Sequence, residues 1–361
     1  MTEAHVFVCY GALSFDAAAR IIEGALDRAT PTYVLAMFSA DLSRLPERTV
    51  VLQPTRELHE LTEWVKPFAI ARWFRQVLAR LERDGVERIV AYFPHPFELP
   101  ANHLAYSDPR VARLELLPDG FLNYAETPPA EGIRKIRHLA RVLLRSLAAR
   151  SVGLRYQPLR AGHLTQYEVL GYQRTWSSSF EGLLTLCGEP TRLPALPGSA
   201  DRHRAGRVVL VLDQELLPLV SPRLEERIRN RLLEVVRALN ADRVLYKAHP
   251  RGRHRLAWLE GAGLNAQDVT GPELAEQVIV ETGATCLVGF YSTPLLLSGA
   301  VVERRMSVLP DADTIGVRKV QYLRGLRTAL EAAGAEMVPL ASGREQEPFV
   351  VSSAPDETSK P

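Results

Sequence analysis

The sequence contains few cysteines and no long hydrophobic segment. Three cysteines occur among 361 residues, Cys9, Cys187 and Cys286, and their spacing matches no metal-ligand pattern. Cys9 and Cys286 lie in apolar runs, so we expect small core side chains in a reducing compartment. No run approaches the roughly 20 apolar residues of a membrane span, and the N-terminus lacks the basic start and apolar stretch of a signal peptide. These absences predict a cytoplasmic protein.

Neither sign of charge is in excess. Lysine and arginine total 44 against 42 aspartates and glutamates, which leaves a formal net charge of +2. A general nucleic-acid binder is usually far more basic, so we expect no nucleic-acid partner. Hydrophobic residues make up 46% of the chain, enough for sizeable buried cores, and 361 residues fit two ordinary domains better than one.

Signature sequences of several common enzyme classes are missing. The chain has no G-x-x-x-x-G-K-[ST] or G-x-G-x-x-G loop, which argues against a P-loop ATPase and a dinucleotide oxidoreductase. It has no H-E-x-x-H zinc motif and no G-x-S-x-G nucleophile elbow. Asp311 and Asp313 form a D-x-D pair, but Pro310 and the late position favour a turn. We therefore predict no metal ion and no cofactor.

Strand-like and helix-like segments alternate along both halves of the chain. Alternation of this kind predicts parallel sheets with helices on both faces. The predicted strands are 5–11, 31–39, 48–54, 87–93, 112–117, 207–213, 243–250 and 285–292, and the predicted helices are 14–26, 64–84, 132–151, 222–240 and 316–333.

A stretch rich in proline, glycine and polar residues, 190–206, reads as a connection into a second core. We predict an α/β protein of GT-B-like architecture, two doubly wound Rossmann-like domains facing a central cleft. The domains are assigned to 1–160 and 161–341, with a polar, partly disordered tail at 342–361. Ligands of open α/β sheets bind beyond the carboxyl ends of the strands, so candidate site residues are sought there.

The first candidate follows the strand 112–117. Asp119 precedes Gly120, and glycine permits a sharp turn that places the carboxylate at the cleft. A carboxylate in that place is suited to act as a general base on a hydroxyl group. An ordinary Pro-Asp-Gly turn explains the same residues.

The second candidate is a basic loop after the strand 243–250. Lys247, His249 and Arg251 concentrate positive charge, and Pro250 fixes the backbone after the histidine. Such a loop suits a phosphate, to which the histidine would donate a hydrogen bond or a proton. A solvated basic loop is the alternative.

The third candidate is a helix start after the strand 285–292. Ser292 and Thr293 precede Pro294, a pattern typical of a helix N-terminus, where free N–H groups and hydroxyls attract anions. A simple structural cap is the alternative. Gln214, just beyond the strand 207–213, is a donor-cleft candidate on position alone.

Two further features are weighed less heavily. His95 and His103 follow a strand of the first half and either line the acceptor side of the cleft or belong to a structural loop. The helix 132–151 either rests on an anionic membrane surface, binds an acidic glycan, or packs on the core with an exposed basic face. It places the basic residues Arg134, Lys135, Arg137, Arg141 and Arg145 among leucines and valines.

In combination and in this order, the three motifs resemble those of the bacterial sialyltransferases, in particular the capsular polysialyltransferase-like group with the GT-B fold. The resemblance runs through the chain in order but is close only at Asp119-Gly120 with Asn123-Tyr124, at 247–251, and at Ser292-Thr293. It implies an inverting, metal-independent transfer of sialic acid or a related nonulosonic acid from a CMP-activated donor. The acceptor would be an oligosaccharide, polysaccharide or glycolipid of a bacterial capsule or lipopolysaccharide.

The resemblance also implies residue roles. Asp119 would be the catalytic base, His249 would assist the leaving CMP, and the Ser292 and Thr293 hydroxyls would bind its phosphate. The family often has two acidic residues before the glycine, whereas this sequence has Pro118 in the first position. A CMP-Kdo transferase of similar fold and a catalytically silent glycan-binding assembly protein are the alternatives. The remaining expected contacts are Lys247, Pro250, Arg251 and Gln214 on the donor side, and Gly120, Asn123, Tyr124, His95 and His103 on the acceptor side.

Overall fold

The computed structural model describes most of the chain. The described residues are 2–37, 42–55, 58, 60–118, 132–158, 171–178, 180, 188–195, 206–249, 252–271, 273–299 and 301–340, without the side chains of Ser43 and Arg134. The candidates Asp119, Gly120, Asn123, Tyr124, Pro250 and Arg251, together with Cys187 and the tail 342–361, therefore lie outside the described residues.

The first domain is built on a parallel sheet with the strand order β3-β2-β1-β4-β5-β6-β7. Its central strands are almost continuously apolar because both faces are covered by helices. The strands are β1 (Thr2–Cys9), β2 (Thr32–Ala36), β3 (Val50–Leu52), β4 (Val86–Phe93), β5 (Val111–Leu116), β6 (Arg174–Ser177) and β7 (Glu189–Arg192).

Helices cover the first sheet unequally. Helix α1 (Ala12–Gly24) packs on one face through Phe15 and its alanines and isoleucines. Helices α2 (Lys66–Arg83), α3 (Leu99–Tyr106) and α4 (Gly132–Arg150) contribute to the core on the other face. The amphipathic spacing of α2 buries one stripe, which includes Ile70, Phe74 and Leu81.

The second domain repeats the plan with the strand order β10-β9-β8-β11-β12-β13, again all parallel. Its strands are β8 (Val208–Asp213), β9 (Arg243–Ala248), β10 (Ala266–Asp268), β11 (Cys286–Gly289), β12 (Arg304–Ser307) and β13 (Glu336–Met337). Its helices are α5 (Pro222–Ala238), α6 (Leu256–Gly261), α7 (Ala275–Thr282), α8 (Thr293–Leu297) and α9 (Val320–Ala332).

The start of α5 shows why the sequence forms a helix there. Ser221 is the N-cap, and its hydroxyl accepts a hydrogen bond from the Leu224 N–H at 3.4 Å. Pro222 takes the first helical position, where a missing N–H costs nothing. Leu224, Ile228 and their partners at helical spacing then fill the core.

The predicted fold class is confirmed: the chain forms two parallel-sheet, Rossmann-like α/β domains. The first sheet, however, continues past the expected division at 160, because β6 and β7 hydrogen-bond to it. These strands are four residues long and mostly polar, so neither carries the apolar run that marks a buried strand. The second sheet begins at Val208, just after the expected connection.

Two minor expectations concern cysteine and the D-x-D pair. Cys9 and Cys286 are buried and free, as their apolar runs predict. Asp311 pairs with Arg327 at 2.9 Å, and Asp313 pairs with Arg324 at 3.2 Å. The two carboxylates thus serve surface ion pairs with α9.

Candidate functional site

A cavity of about 190 Å³ is lined by residues of both domains. The first domain contributes the start of α1, and the second domain contributes residues that follow four strands, β8, β9, β10 and β11. We call this the donor cavity. Its lining includes Ala12, Leu13, Asp213, Gln214, Lys247, His249, Glu273, Glu276, Ser292 and Thr293.

The topology of the second sheet brings the sequence candidates together. Strand β8 lies between β9 and β11, with Asp213 opposite Ala248 and Leu212 opposite Gly289. The three carboxyl ends therefore meet at one edge of the sheet, although their residues are far apart in the chain. Every donor-side candidate in the described residues, Gln214, Lys247, His249, Ser292 and Thr293, lines the cavity.

The two basic candidates, Lys247 and His249, differ in burial. Lys247 is buried, and its Nζ donates a hydrogen bond to the Gly271 carbonyl at 3.2 Å. Burial lowers the pKa of Lys247, an effect that the Glu273 and Glu276 carboxylates oppose. His249 is exposed, and its backbone N–H donates to the Asp213 carbonyl at 3.1 Å. The histidine therefore stands at the mouth and the lysine deeper in the wall.

Ser292 does not behave as a simple structural cap. It occupies the N-cap position of α8 with extended backbone, yet its hydroxyl makes no capping hydrogen bond, and the residue is 8% exposed. Helix α8 has only five residues, so its dipole adds little. The hydroxyls of Ser292 and Thr293, rather than the helix, are the polar groups that this loop brings to the cavity.

Gln214 holds two of the loops together. Its side-chain oxygen accepts a hydrogen bond from the Tyr291 N–H at 3.2 Å, which ties the loop after β8 to the loop after β11. The Tyr291 hydroxyl donates in turn to the Glu215 carbonyl at 2.6 Å. Gln214 thus shapes the cavity wall.

A buried charged network that the sequence reasoning missed supports this edge of the sheet. The Asp213 carboxylate accepts hydrogen bonds from Arg229 at 2.9 Å and from the Tyr246 hydroxyl at 2.8 Å. Arg229 also donates to Glu225 at 2.9 Å. A buried hydrogen-bonded network of this kind rigidifies the backbone that it holds. No sequence pattern links these residues, which come from β8, α5 and β9.

Two carboxylates at the start of α7, Glu273 and Glu276, were also missed. Burial raises the pKa of Glu276 to about 7, and the Asp16 carboxylate adds to the rise while Arg20 and Lys247 oppose it. Glu276 remains partly accessible from the cavity. Acidic residues near a helix N-terminus are common for dipole reasons alone, so the sequence offered no signal.

The two domains touch beside these carboxylates. The Gln277 side-chain amide of α7 donates a hydrogen bond to Asp16 of α1 at 3.0 Å, and both residues are buried. Asp16 also pairs with Arg20 at 3.5 Å and Arg44 at 3.6 Å. This contact sets the start of α1 against the donor cavity.

The predicted base, Asp119, lies outside the described residues, but the strand leading to it is defined. Strand β5 is separated from β1 only by β4, and all three are parallel. Leu117 is buried in the same cluster as Phe15 of α1. Leu117 therefore packs on the α1 side of the sheet, whereas Leu116 packs on the other side.

The acceptor-side histidines lie elsewhere. His95 stacks between Tyr10 at 4.6 Å and Phe97 at 5.1 Å between ring centroids, and burial lowers its pKa to about 4. His103 is buried, with its Nδ1 3.1 Å from the Arg155 carbonyl oxygen. Neither histidine lines the donor cavity.

A second cavity, of about 650 Å³, opens in the first domain, and we call it the α2–α4 cavity. The Tyr10 side chain borders it, and its buried hydroxyl has no hydrogen-bond partner among the described residues. Arg145 pairs there with Glu98 at 2.5 Å. The lining is Tyr10, Met37, Leu58, Glu63, Lys66, Pro67, Ile70, Glu98, Leu99, Arg141, Leu144 and Arg145.

No protein-family model and no curated protein sequence matches the chain. Solved structures with a similar arrangement include an α/β-galactoside α-2,3-sialyltransferase from Photobacterium phosphoreum, with 8% identity, 93% and 98% of the two chains covered and a TM-score of 0.49. MurG from Acinetobacter baumannii shows 9% identity, coverage of 95% and 86%, and a TM-score of 0.42. UDP-GlcNAc 2-epimerase from Neisseria meningitidis, bound to UDP-GlcNAc, shows 10% identity, coverage of 93% and 95%, and a TM-score of 0.43. These values concern the fold and not the substrate.

Proposed function

We propose that this protein is an inverting glycosyltransferase that moves sialic acid or a related nonulosonic acid from a CMP-activated donor to a glycan acceptor. One observation carries the proposal. Lys247, His249 and the Ser292-Thr293 pair come from separate motifs, yet they line one cavity that also borders the first domain. A transferase of this kind needs such a pocket for the phosphate of the departing nucleotide.

The lining of the donor cavity is polarised. Lys247, His249 and the two hydroxyls supply positive charge and hydrogen-bond donors, whereas Glu273 and Glu276 supply acceptors. A ligand that combines an anionic phosphate with a hydroxyl-rich ring satisfies both sets. The cavity is smaller than the roughly 300–1,000 Å³ of typical small-molecule sites. A nucleotide sugar would therefore extend from it into the open cleft.

The proposed reaction is a single displacement. Asp119 takes the proton of the acceptor hydroxyl as that oxygen attacks the anomeric carbon of the donor sugar. The bond between this carbon and the phosphate oxygen breaks, and CMP leaves with the bonding electrons. His249, Lys247 and the hydroxyls of Ser292 and Thr293 stabilise the developing negative charge, and in this proposal His249 supplies a proton. A sugar that already carries a carboxylate makes an oxocarbenium-like transition state easier to reach.

A nucleotide panel tests the donor class. CMP at saturating concentration should raise the melting temperature by roughly 5 °C or more, because a ligand that binds only the folded state stabilises it. UDP at the same concentration should produce no shift. A larger shift with UDP would instead indicate a UDP-sugar enzyme, and no response to either nucleotide would favour a silent glycan-binding protein. A CMP-Kdo transferase would share the CMP response and would differ in which CMP-sugar it consumes.

Glu276 predicts a specific pH dependence of stability. Its pKa is about 7 in the folded protein and near 4.5 in the unfolded chain. Between pH 4.5 and pH 7, the carboxyl group is therefore protonated in the folded protein and ionised in the unfolded chain. The contribution of this protonated carboxyl group to the free energy of unfolding is fully present below about pH 4.5 and is lost as the pH rises through about 7. It amounts to on the order of 3 kcal/mol at most. Relative to wild type, Glu276→Gln should therefore gain stability as the pH rises from 5 to 8.

Urea unfolding at several pH values measures this difference. The matched control is Glu281→Gln, a second carboxylate of the same helix that does not line the donor cavity. A stability difference between Glu276→Gln and wild type that does not change with pH would contradict the assignment.

A further inference from the structure

Helix α4 buries one side and presents a second, aliphatic side to solvent. Val142, Ala148 and Ala149 are buried against the first domain. On the other side, five leucines and isoleucines keep 47–68% of their surface exposed. They are Ile133, Ile136, Leu139, Leu143 and Leu147. At 100° per residue these five fall within an arc of about 120°, opposite the buried side.

The loop before α2 extends this apolar surface. Trp64 is 68% exposed and Val65 is 48% exposed, and Leu61 lies beside them in the chain. An ion pair between Arg141 of α4 and Glu63 of the loop, at 3.1 Å, holds the two segments together. We call the combined surface the α4 face. It consists of Leu61, Trp64, Val65, Ile133, Ile136, Leu139, Leu143 and Leu147.

The charges on helix α4 are of one sign, whereas the loop before α2 adds the carboxylates of Glu60 and Glu63. Helix α4 contains six lysines and arginines and no aspartate or glutamate. Among the described side chains, Lys135, Arg137, Arg141 and Arg150 are exposed. A broad apolar stripe bordered by basic side chains, with a tryptophan at its edge, is the pattern by which helices lie in a membrane interface.

Other occupants fit this surface less well. An acidic glycan would satisfy the basic residues but offers no hydrocarbon to cover the leucines and isoleucines. A second copy of the chain would cover them but would bring two strongly basic helices together. An anionic lipid bilayer satisfies both the aliphatic stripe and the positive charge.

We propose that the α4 face docks this protein on the surface of an anionic lipid bilayer. The helix would lie in the plane of the interface rather than cross it. The helices of the described part of the chain all fall short of the length and apolarity that a bilayer crossing requires. Docking of this kind does not depend on the identity of the sugar donor.

The α2–α4 cavity opens beside the proposed docking surface. Arg141 and Leu144 of α4 and Glu63 of the loop line it. Six of its lining residues are apolar, namely Met37, Leu58, Pro67, Ile70, Leu99 and Leu144. If the proposed function holds, an acceptor carried on a lipid could enter this cavity without leaving the bilayer.

Vesicle co-sedimentation of the full chain, without any substrate, tests the docking. Vesicles of phosphatidylcholine with phosphatidylglycerol should bind the protein at least tenfold more tightly than vesicles of phosphatidylcholine alone. The double change Ile136→Ser and Leu143→Ser should reduce binding to the anionic vesicles at least tenfold. The matched control, Val301→Ser with Ile315→Ser, alters two other exposed aliphatic side chains, outside the α4 face, and should leave binding unchanged.

The charge contribution is tested separately. Lys135→Gln with Arg137→Gln should lower binding to anionic vesicles by roughly tenfold to thirtyfold, and added salt should weaken wild-type binding. The tryptophan emission of wild type should shift to the blue on binding. Trp64→Phe should lose most of that shift, because the exposed indole of Trp64 is the tryptophan side chain that enters the membrane interface.

Two results would overturn the proposal. One is equal binding of wild type and the Ile136→Ser, Leu143→Ser variant when circular dichroism shows both to be folded. The other is a wild-type dimer in sedimentation equilibrium that this variant breaks, with no vesicle binding by either protein. The second result would assign the α4 face to self-association. Because no sugar donor is present, neither result depends on the proposed transferase activity.

Discussion

Replacing Asp119 by asparagine is expected to slow transfer from a CMP-activated sugar by roughly 10²–10⁴-fold. Asparagine keeps the shape of the side chain but cannot accept the proton of the acceptor hydroxyl. The stabilisation by CMP should stay at the wild-type level, because the described donor cavity is lined mainly by the second domain. Initial rates of CMP release with acceptor present, together with melting temperatures with CMP, measure the two effects.

Asp313→Asn is the matched control for this substitution. Asp313 lies on the surface of the second domain, where it pairs with Arg324 at 3.2 Å, and does not line the donor cavity. Its change should leave turnover within about twofold of wild type, as expected of a surface substitution. Near-normal turnover by Asp119→Asn would remove this residue from the proposed mechanism.

The second large effect is expected at His249. Its change to alanine removes the side chain placed at the mouth of the donor cavity, where the phosphate of CMP would lie. We expect turnover to fall by roughly 10²–10⁴-fold, because general acid assistance is lost. Unlike the Asp119 change, this one should also weaken the thermal stabilisation by CMP, since a donor to the bound phosphate is removed.

His254 provides a control from the same loop region. It pairs with Asp268 at 2.7 Å outside the donor cavity. His254→Ala should retain both CMP stabilisation and turnover. Loss of activity to the same extent in both histidine variants would indicate a general disturbance of the loop rather than a role for His249 in the reaction.

The sequence predicted that the donor-side residues lie close together at one edge of the second sheet. Each follows an apolar, strand-like run, and in a parallel sheet the carboxyl ends of neighbouring strands share an edge. Alternation of strands and helices predicted two such sheets, so Gln214, His249 and Ser292 were expected near one another. The local pattern was sufficient because β8 and β11 are apolar over nearly their whole length.

Other features depend on tertiary contacts that no local pattern records. Glu276 enters the donor cavity because α7 packs against α1 through Gln277 and Asp16. Strands β6 and β7 are short and polar, and their place in the first sheet follows from pairing across many residues. In α4 the sequence contains apolar residues around most of the helix, so spacing alone did not indicate that Ile136 and Leu143 face solvent.

The most direct test of the account is to incubate the protein with CMP-sialic acid and measure the CMP released, with and without glycan acceptors. We predict that CMP appears faster when a suitable acceptor is present, and that parallel incubations with UDP-sugars release no UDP. Release of UDP from a UDP-sugar, without consumption of any CMP-sugar, would contradict the assignment of the donor cavity to CMP.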